Sequence, residues 1–194
     1  MTPGHFIPLA EETGMILPLG QWVLETACAQ LVAWGQHPAT ADWTVAVNVS
    51  ASQLAQAEFV QHVKHALHQS GAPAQRLKLE ITESMLVNDM EDTIAKMSAL
   101  KALGVSFSLD DFGTGYSSLS YLKELPIDVL KIDQSFVQAL NINEQGYALC
   151  EAMVSIGKTL KIVVVAEGVE TLRQLELLQK LVNTILLQQA KVKL

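Results

Sequence analysis

The run SFSLDDFGTGYSSLSYLKELPIDVLKIDQSFV, residues 106–137, sets two adjacent carboxylates, Asp110 and Asp111, after an apolar stretch and before Gly113 and Gly115. Like charges at the end of a buried element repel each other and lose hydration, so their company needs a cause. Other polar residues end similar apolar runs: Asn48 in WTVAVNVS, Glu80 in RLKLEITES, Lys131 in DVLKID and Glu167 in KIVVVAEGVE. Carboxylates and an amide meeting at one place require cations among them, and an oxygen set without thiols selects hard ions such as Mg²⁺ or Mn²⁺. Asp110 would point inward from a strand end, and Asp111, one residue on, would reach a second ion about 4 Å away. The chemistry implied is metal-assisted phosphoester hydrolysis. Lys131 is a cation to orient the attacking water or neutralise phosphate, and the two glycines let the backbone turn after the pair.

The elements that must position these residues follow from periodicity. Five β-rich runs, residues 43–50, 76–84, 105–113, 128–133 and 161–170, read as strands. Helical spacing joins Met90, Ile94, Met97, Leu100 and Leu103, then Leu149, Met153, Ile156 and Leu160, and an earlier helix runs from Ile16 to Trp34. Strand and helix alternating in this way imply parallel strands with right-handed crossovers, an α/β fold. Phase separates an open sheet from a (β/α)8 barrel. Val47, Leu79, Leu109, Leu130 and Val164 fall in a uniformly apolar phase, while the opposite phase ends in Asn48, Glu80, Asp110, Lys131 and Glu167. Those five would converge at the C-terminal rim of a barrel, where such folds place their chemistry.

Composition excludes several functions. The 194 residues are 49% hydrophobic and 17% charged, enough to bury one large core. A net charge of −7 and a pI near 5.2 offer no basic face to a nucleic-acid backbone, whereas a small anion held through metal ions remains compatible. Cys28 and Cys150 lack metal-ligand spacing and read as buried thiols in a reducing compartment, the cytosol. No run of about 18 apolar residues and no signal peptide is read, so no direct membrane contact is expected.

Each residue also has a plainer reading. Asp-Asp-Phe-Gly alone could be a turn with solvated acids, and its kinase-like Asp-Phe-Gly lacks both the Gly-rich loop and the catalytic loop of a kinase. Asn48 could close an Asx-turn, Lys131 could snorkel, and Glu83 and Glu170 could be first-turn acids on helix dipoles. His62, His65 and His68 line a solvated helix face; Trp22 and Trp34 pack helices.

The stretches FIPLAEETG, VNVSASQL, LEITES, DDFGTGYSSLSYLKELPIDVLKID and VVAEGVET resemble the EAL-domain family of bacterial phosphodiesterases acting on cyclic di-GMP. The match covers about residues 3–180. The resemblance implies a modified (β/α)8 barrel that linearises cyclic di-GMP to pGpG with Mg²⁺ or Mn²⁺, two ions in the complete domain. It implies Asn48, Glu80, Asp110 and Asp111 as metal ligands, Lys131 as the residue holding the water, and Glu167 as general base or second-metal ligand. Glu170 resembles an acid at the substrate site, and Glu83 the glutamate anchoring the loop after the Asp–Asp pair. Sensory or GGDEF-type domains are the expected neighbours in a longer protein.

The departures set further expectations. The family's Glu-Ala-Leu motif, with its metal-binding Glu and substrate-binding Arg, lies upstream of FIPLAEETG, so the chain reads as a single partial domain lacking the first two barrel strands. Residues 181–194 diverge where the family resumes with a Gln-Gly-Tyr strand; a shifted reading frame would explain the tail, and the authentic last strand is expected to be missing. An opened barrel exposes strand edges, which a homodimer would cover. Three readings follow: a piece of a phosphodiesterase, with weak or no hydrolysis expected of this chain; a degenerate cyclic di-GMP receptor or regulatory scaffold; or a barrel enzyme for another phosphoester.

Overall fold

A computed structural model describes residues 2–86, 89–113, 122–140, 144–181 and 185–189. Gly115 and parts of the divergent tail lie outside the described residues. Strands and helices alternate as expected, giving an α/β chain whose strand pairings are parallel. The residues cluster in two compact units: residues 1–81 with 85–107, and residues 82–84 with 108–194.

In the first unit, helices α1 (Pro3–Glu12) and α2 (Ile16–Gly35) precede strand β1 (Val45–Asn48). Proline at the start of α1 occupies a position whose N–H has no helical partner anyway. Ser50 and Gln53 then form a reciprocal capping box, which starts helix α3 (Ala51–Leu54) two residues beyond Asn48. Helix α4 (Phe59–Ser70) ends at Gly71, in the left-handed conformation that glycine adopts without strain. Strand β2 (Leu77–Thr82) pairs with β1 in parallel, Val45 opposite Leu77 through Asn48 opposite Glu80. In β2 burial alternates as its sequence alternates, Leu77, Leu79 and Ile81 being buried and Lys78 and Glu80 half-buried. The strands are narrower than the apolar runs that announced them.

Helix α5 (Met90–Lys101), N-capped by Asp89, buries Thr93, Lys96, Met97 and Leu100. The expected stripe holds at Met97 and Leu100, but its first turns are rotated by one residue, with Thr93 and Lys96 buried beside half-buried Met90 and Ile94, and Leu103 lies beyond the helix, 39% exposed. Lys96 causes the rotation: its buried ammonium donates to the Leu54 carbonyl at 2.8 Å and pairs with Asp92 at 2.6 Å. Helix α2 also corrects an expectation. Within its 20 residues a window of 18 reaches a mean hydropathy of 1.2, long and apolar enough by length and composition to cross a membrane. Gln21, Glu25, Thr26 and Gln30 punctuate that run and hide it from a count of consecutive apolar residues. Its inner stripe, Ile16, Gly20, Leu24, Ala27, Cys28 and Leu31, is buried, and the helix packs on α4 and β1. Trp22, expected to pack, is 61% exposed, whereas Trp34 meets Trp43 edge to face at 5.4 Å. His62, His65 and His68 lie on the exposed face of α4, as read.

The second unit holds strand β3 (Ser106–Phe112) from Ser108 onward, then β4 (Val129–Ile132), β5 (Val163–Val169) and β6 (Ile185–Gln189). Among the described residues its helices include α6 (Gln134–Ala139), α7 (Glu144–Leu160) and α8 (Leu172–Leu181). β6 comes from the stretch expected to diverge, yet it pairs with β5 in parallel. All of β4 is buried, as a strand covered on both faces must be. Helix α7 turns Cys150, Met153, Val154 and Gly157 inward and leaves Leu149 40% exposed, so the expected stripe is again offset. The reason is close approach: a Cβ on Gly157 would stand 2.1 Å from Val164 Cγ2, so a glycine faces the sheet beside the half-buried Ile156 of the expected stripe.

Candidate functional site

Each unit positions its own candidate residues. In the first, Asn48 and Glu80 are register partners at the C-terminal ends of β1 and β2, Asn48 exposed and Glu80 half-buried. The Val49 N–H donates to the Glu80 carbonyl at 2.9 Å, which carries the pairing one residue past the strand. The capping box at Ser50 then turns the chain away just after Asn48.

In the second unit the centre is Lys131. It lies in β4 between the fully buried Leu130 and Ile132 and is itself only 3% exposed. Its ammonium donates to Asp110 Oδ2 at 2.7 Å and to Glu167 Oε1 at 2.8 Å. A buried ammonium is tolerable only when paired in this way. The snorkelling alternative is thereby excluded.

Two strand irregularities bring the acids to the lysine. Between Leu109 and Phe112, β3 has one residue more than its partner segment Leu130–Ile132, and Asp111 there takes φ 56°. Between Ala166 and Val169, β5 has one residue more than Leu187–Gln189, and Gly168 takes φ 67°. A bulge bends its strand and re-aims a side chain. Asp is among the few non-glycine residues that enter the left-handed region readily. The adjacent carboxylates thus diverge: Asp110 is half-buried on Lys131 and accepts the Asp111 N–H at 3.0 Å, while Asp111 is exposed. Burial, then the charges of Asp110, Asp133 and Glu167, push the Asp111 carboxyl above the usual range, with Lys131 pulling it back.

Glu83 opens a short 3₁₀ turn, Glu83–Leu86, and its Oε2 accepts the Gly113 N–H at 2.8 Å, from a buried position. The residue just past the bulge is thereby pinned. Glu170 is exposed, and no side-chain hydrogen bond or ion pair brings it to the other acids. Its backbone N–H is held by Gln174, which the sequence reading passed over. Gln174 Oε1 accepts from Glu170 N and Thr171 N, both at 2.9 Å, and its amide donates to the Val137 carbonyl at 3.3 Å. Thr171 Oγ1 accepts from Gln174 N in return, a capping box that Thr-x-x-Gln announces in the sequence. Asp133, also missed, N-caps α6 through Ser135, whose N–H it accepts at 2.9 Å and whose hydroxyl it also binds. The Asp-x-Ser spacing was its signal. Cys28 and Cys150 are both free and buried; burial raises both thiols, Cys150 to about 11.

Known proteins share this arrangement of chain. The family model described as the EAL domain matches residues 1–185. The bifunctional diguanylate cyclase/cyclic di-GMP phosphodiesterase MucR of Pseudomonas aeruginosa is 47% identical over 183 residues, 93% of this chain and 26% of its own length. The cyclic di-GMP phosphodiesterase NbdA of the same organism is 45% identical over 179 residues, 92% of this chain and 23% of its own. The chain thus spans about a quarter of the length of these curated relatives. The solved structure of the PaMucR phosphodiesterase in complex with c-di-GMP matches with a TM-score of 0.92 at 46% identity, over 97% of this chain and 75% of that one. A likeness of that length and identity settles the family: the chain belongs to the EAL domain family, whose fold is a TIM-like barrel.

Proposed function

We propose that the chain hydrolyses one phosphodiester bond of cyclic di-GMP to give linear pGpG, with Mg²⁺ or Mn²⁺ as cofactor. The observation that carries this reading is Lys131, buried and shared between Asp110 and Glu167 at 2.7 and 2.8 Å. Relatives named as cyclic di-GMP phosphodiesterases support the substrate.

The donor types suit a hard divalent ion, while among the described residues no three His, Cys, Asp or Glu side chains already gather closely enough to hold one. The donors are oxygens throughout, and the Asp111 carboxyl, pushed up by burial and then by neighbouring carboxylates, is where a further positive charge is favourable. Asp110 and Asp111 would supply ligands in the second unit; Asn48 and Glu80 are oxygen donors of the same kind in the first. A bound divalent ion supplies a more acidic water and neutralises phosphate charge.

The chain's own groups do the rest. Lys131 holds the attacking water or a phosphate oxygen, and Glu167, kept on Lys131, takes the water proton as the new P–O bond forms. The P–O3′ bond breaks, the 3′ oxygen takes up a proton from solvent, and the 5′ phosphate remains on pGpG. Glu83 fixes the Gly113 backbone and with it the turn after the Asp pair. Glu170, presented by the Gln174 cap, contacts substrate. In the longer protein, sensory or GGDEF-type domains would regulate this module.

The test is chromatographic assay of purified chain with cyclic di-GMP and Mn²⁺. Formation of pGpG that chelator abolishes is the expected result. Cyclic di-GMP bound but uncut at saturating Mn²⁺ would overturn hydrolysis in favour of a receptor.

A further inference from the structure

We propose that Lys131 is a resident counter-cation that a divalent ion has to displace from Asp110, so that this lysine sets the ion concentration at which the site loads. The inference rests on the metal-dependent reading above and concerns how that site is guarded.

The second unit's strand-end acids are organised around the ammonium. Lys131 Nζ donates to Asp110 Oδ2 at 2.7 Å and Glu167 Oε1 at 2.8 Å, and Asp110 Oδ1 accepts the Asp111 N–H at 3.0 Å. Both oxygens of Asp110 are therefore engaged within the protein. Among the described residues, no three His, Cys, Asp or Glu side chains gather closely enough to hold a metal ion. The arrangement is that of acids already neutralised by an internal charge.

A divalent ion taken up by Asp110 would share one carboxylate with the ammonium. At 3% exposure little water screens the repulsion between the two cations. The lysine's root cannot yield, because β4 is buried along its length between two parallel neighbours. Only the distal stem can move, and Glu167 is the second anchor to which the ammonium retreats. Loading thus exchanges one ion pair for another, and it leaves Lys131 on Glu167, where it can hold water.

Mn²⁺ alone, titrated into the purified chain and followed by the electron paramagnetic resonance of free Mn²⁺, tests this. Lys131→Met and the hydrogen-bonding Lys131→Gln should bind Mn²⁺ at least about tenfold more tightly than the parent chain, and Lys131→Arg should stay close to it. Without Mn²⁺ the two neutral variants should melt below the parent chain, and added Mn²⁺ should raise their melting temperatures more than the parent's. Gln retains a donor to the acids and keeps the test open where Met fails to fold. Equal or weaker binding by both neutral variants, with the parent binding Mn²⁺, overturns displacement and leaves the metal-dependent reading standing. No Mn²⁺ binding by any of the four overturns both.

Discussion

Asp111 and Gly168 hold equivalent places on the two strands beside β4. Each takes a left-handed φ, 56° and 67°, within a one-residue bulge, and each directly follows an acid that meets Lys131. The backbone reversal after Asp110 and after Glu167 lets strands in register with β4 turn their last carboxylates toward one ammonium.

Gly168→Ala should therefore disturb both fold and site. The new Cβ would stand 2.7 Å from Gln134 Cβ and the residue would keep a positive φ, so a loss of about 1–3 kcal/mol in urea unfolding is expected. Turnover should fall with it, because Glu167 loses its aim.

Asp111→Asn separates backbone from charge. Asparagine enters the left-handed region as readily as aspartate, so stability should hold within about 0.5 kcal/mol in the same unfolding assay. Mn²⁺-dependent turnover should drop roughly 10²-fold or more, through loss of an anionic ligand.

Asp110→Asn keeps size and removes the charge facing Lys131. Turnover should fall about 10²–10³-fold, and stability by about 2 kcal/mol, since the ammonium keeps Glu167 but loses a charged partner. Circular dichroism should show the fold retained, and turnover equal to the parent's would contradict the placement of Asp110 at the reacting centre.

Gln174→Ala removes the acceptor for two backbone N–H groups and the donor to Val137. A cost of about 2–4 kcal/mol in urea unfolding is expected. Hydrogen exchange at Glu170 and Thr171 should speed up before exchange in β4 does, a local signature that general destabilisation lacks.

The Cys150 thiol, raised from 9.0 to about 11 by burial, predicts a pH effect of definite sign. The unfolded chain loses this proton first, so the folded form binds more protons between those values and stability falls as pH rises through them, by up to about 2–3 kcal/mol. Unfolding measured from pH 8 to 11 should show a steeper fall in the parent than in Cys150→Ala, where Cys28 is the one raised thiol left.

These predictions draw on features of unequal visibility in the sequence. Alternation in LKLEIT announced β2 and the inward face of Glu80, and DVLKID announced a buried Lys131, because parallel strands impose a period of two. That period fails at Asp110–Asp111 and at Glu167–Gly168, where an inserted residue resets the phase, and sequence alternation carries no mark of which residue will be extra. The helix faces were misjudged for a related reason. On α5 a lysine faces inward to cap another helix, and on α7 a glycine lets the backbone approach Val164, so the buried stripe is not the most apolar one. Gln174 and Asp133 were legible as caps and went unread because attention went to charge.

The pairing of Trp34 with Trp43 has an optical consequence. All three tryptophans, at 22, 34 and 43, belong to the first unit, whereas Tyr147 belongs to the second. Nature has labelled the halves with different fluorophores. Red-edge excitation reports the first half alone, tyrosine absorbance the second, and the edge-to-face pair adds an exciton band to the near-ultraviolet dichroism. Whether the halves melt together can thus be read from the unmodified chain, as the coincidence or separation of two spectroscopic transitions.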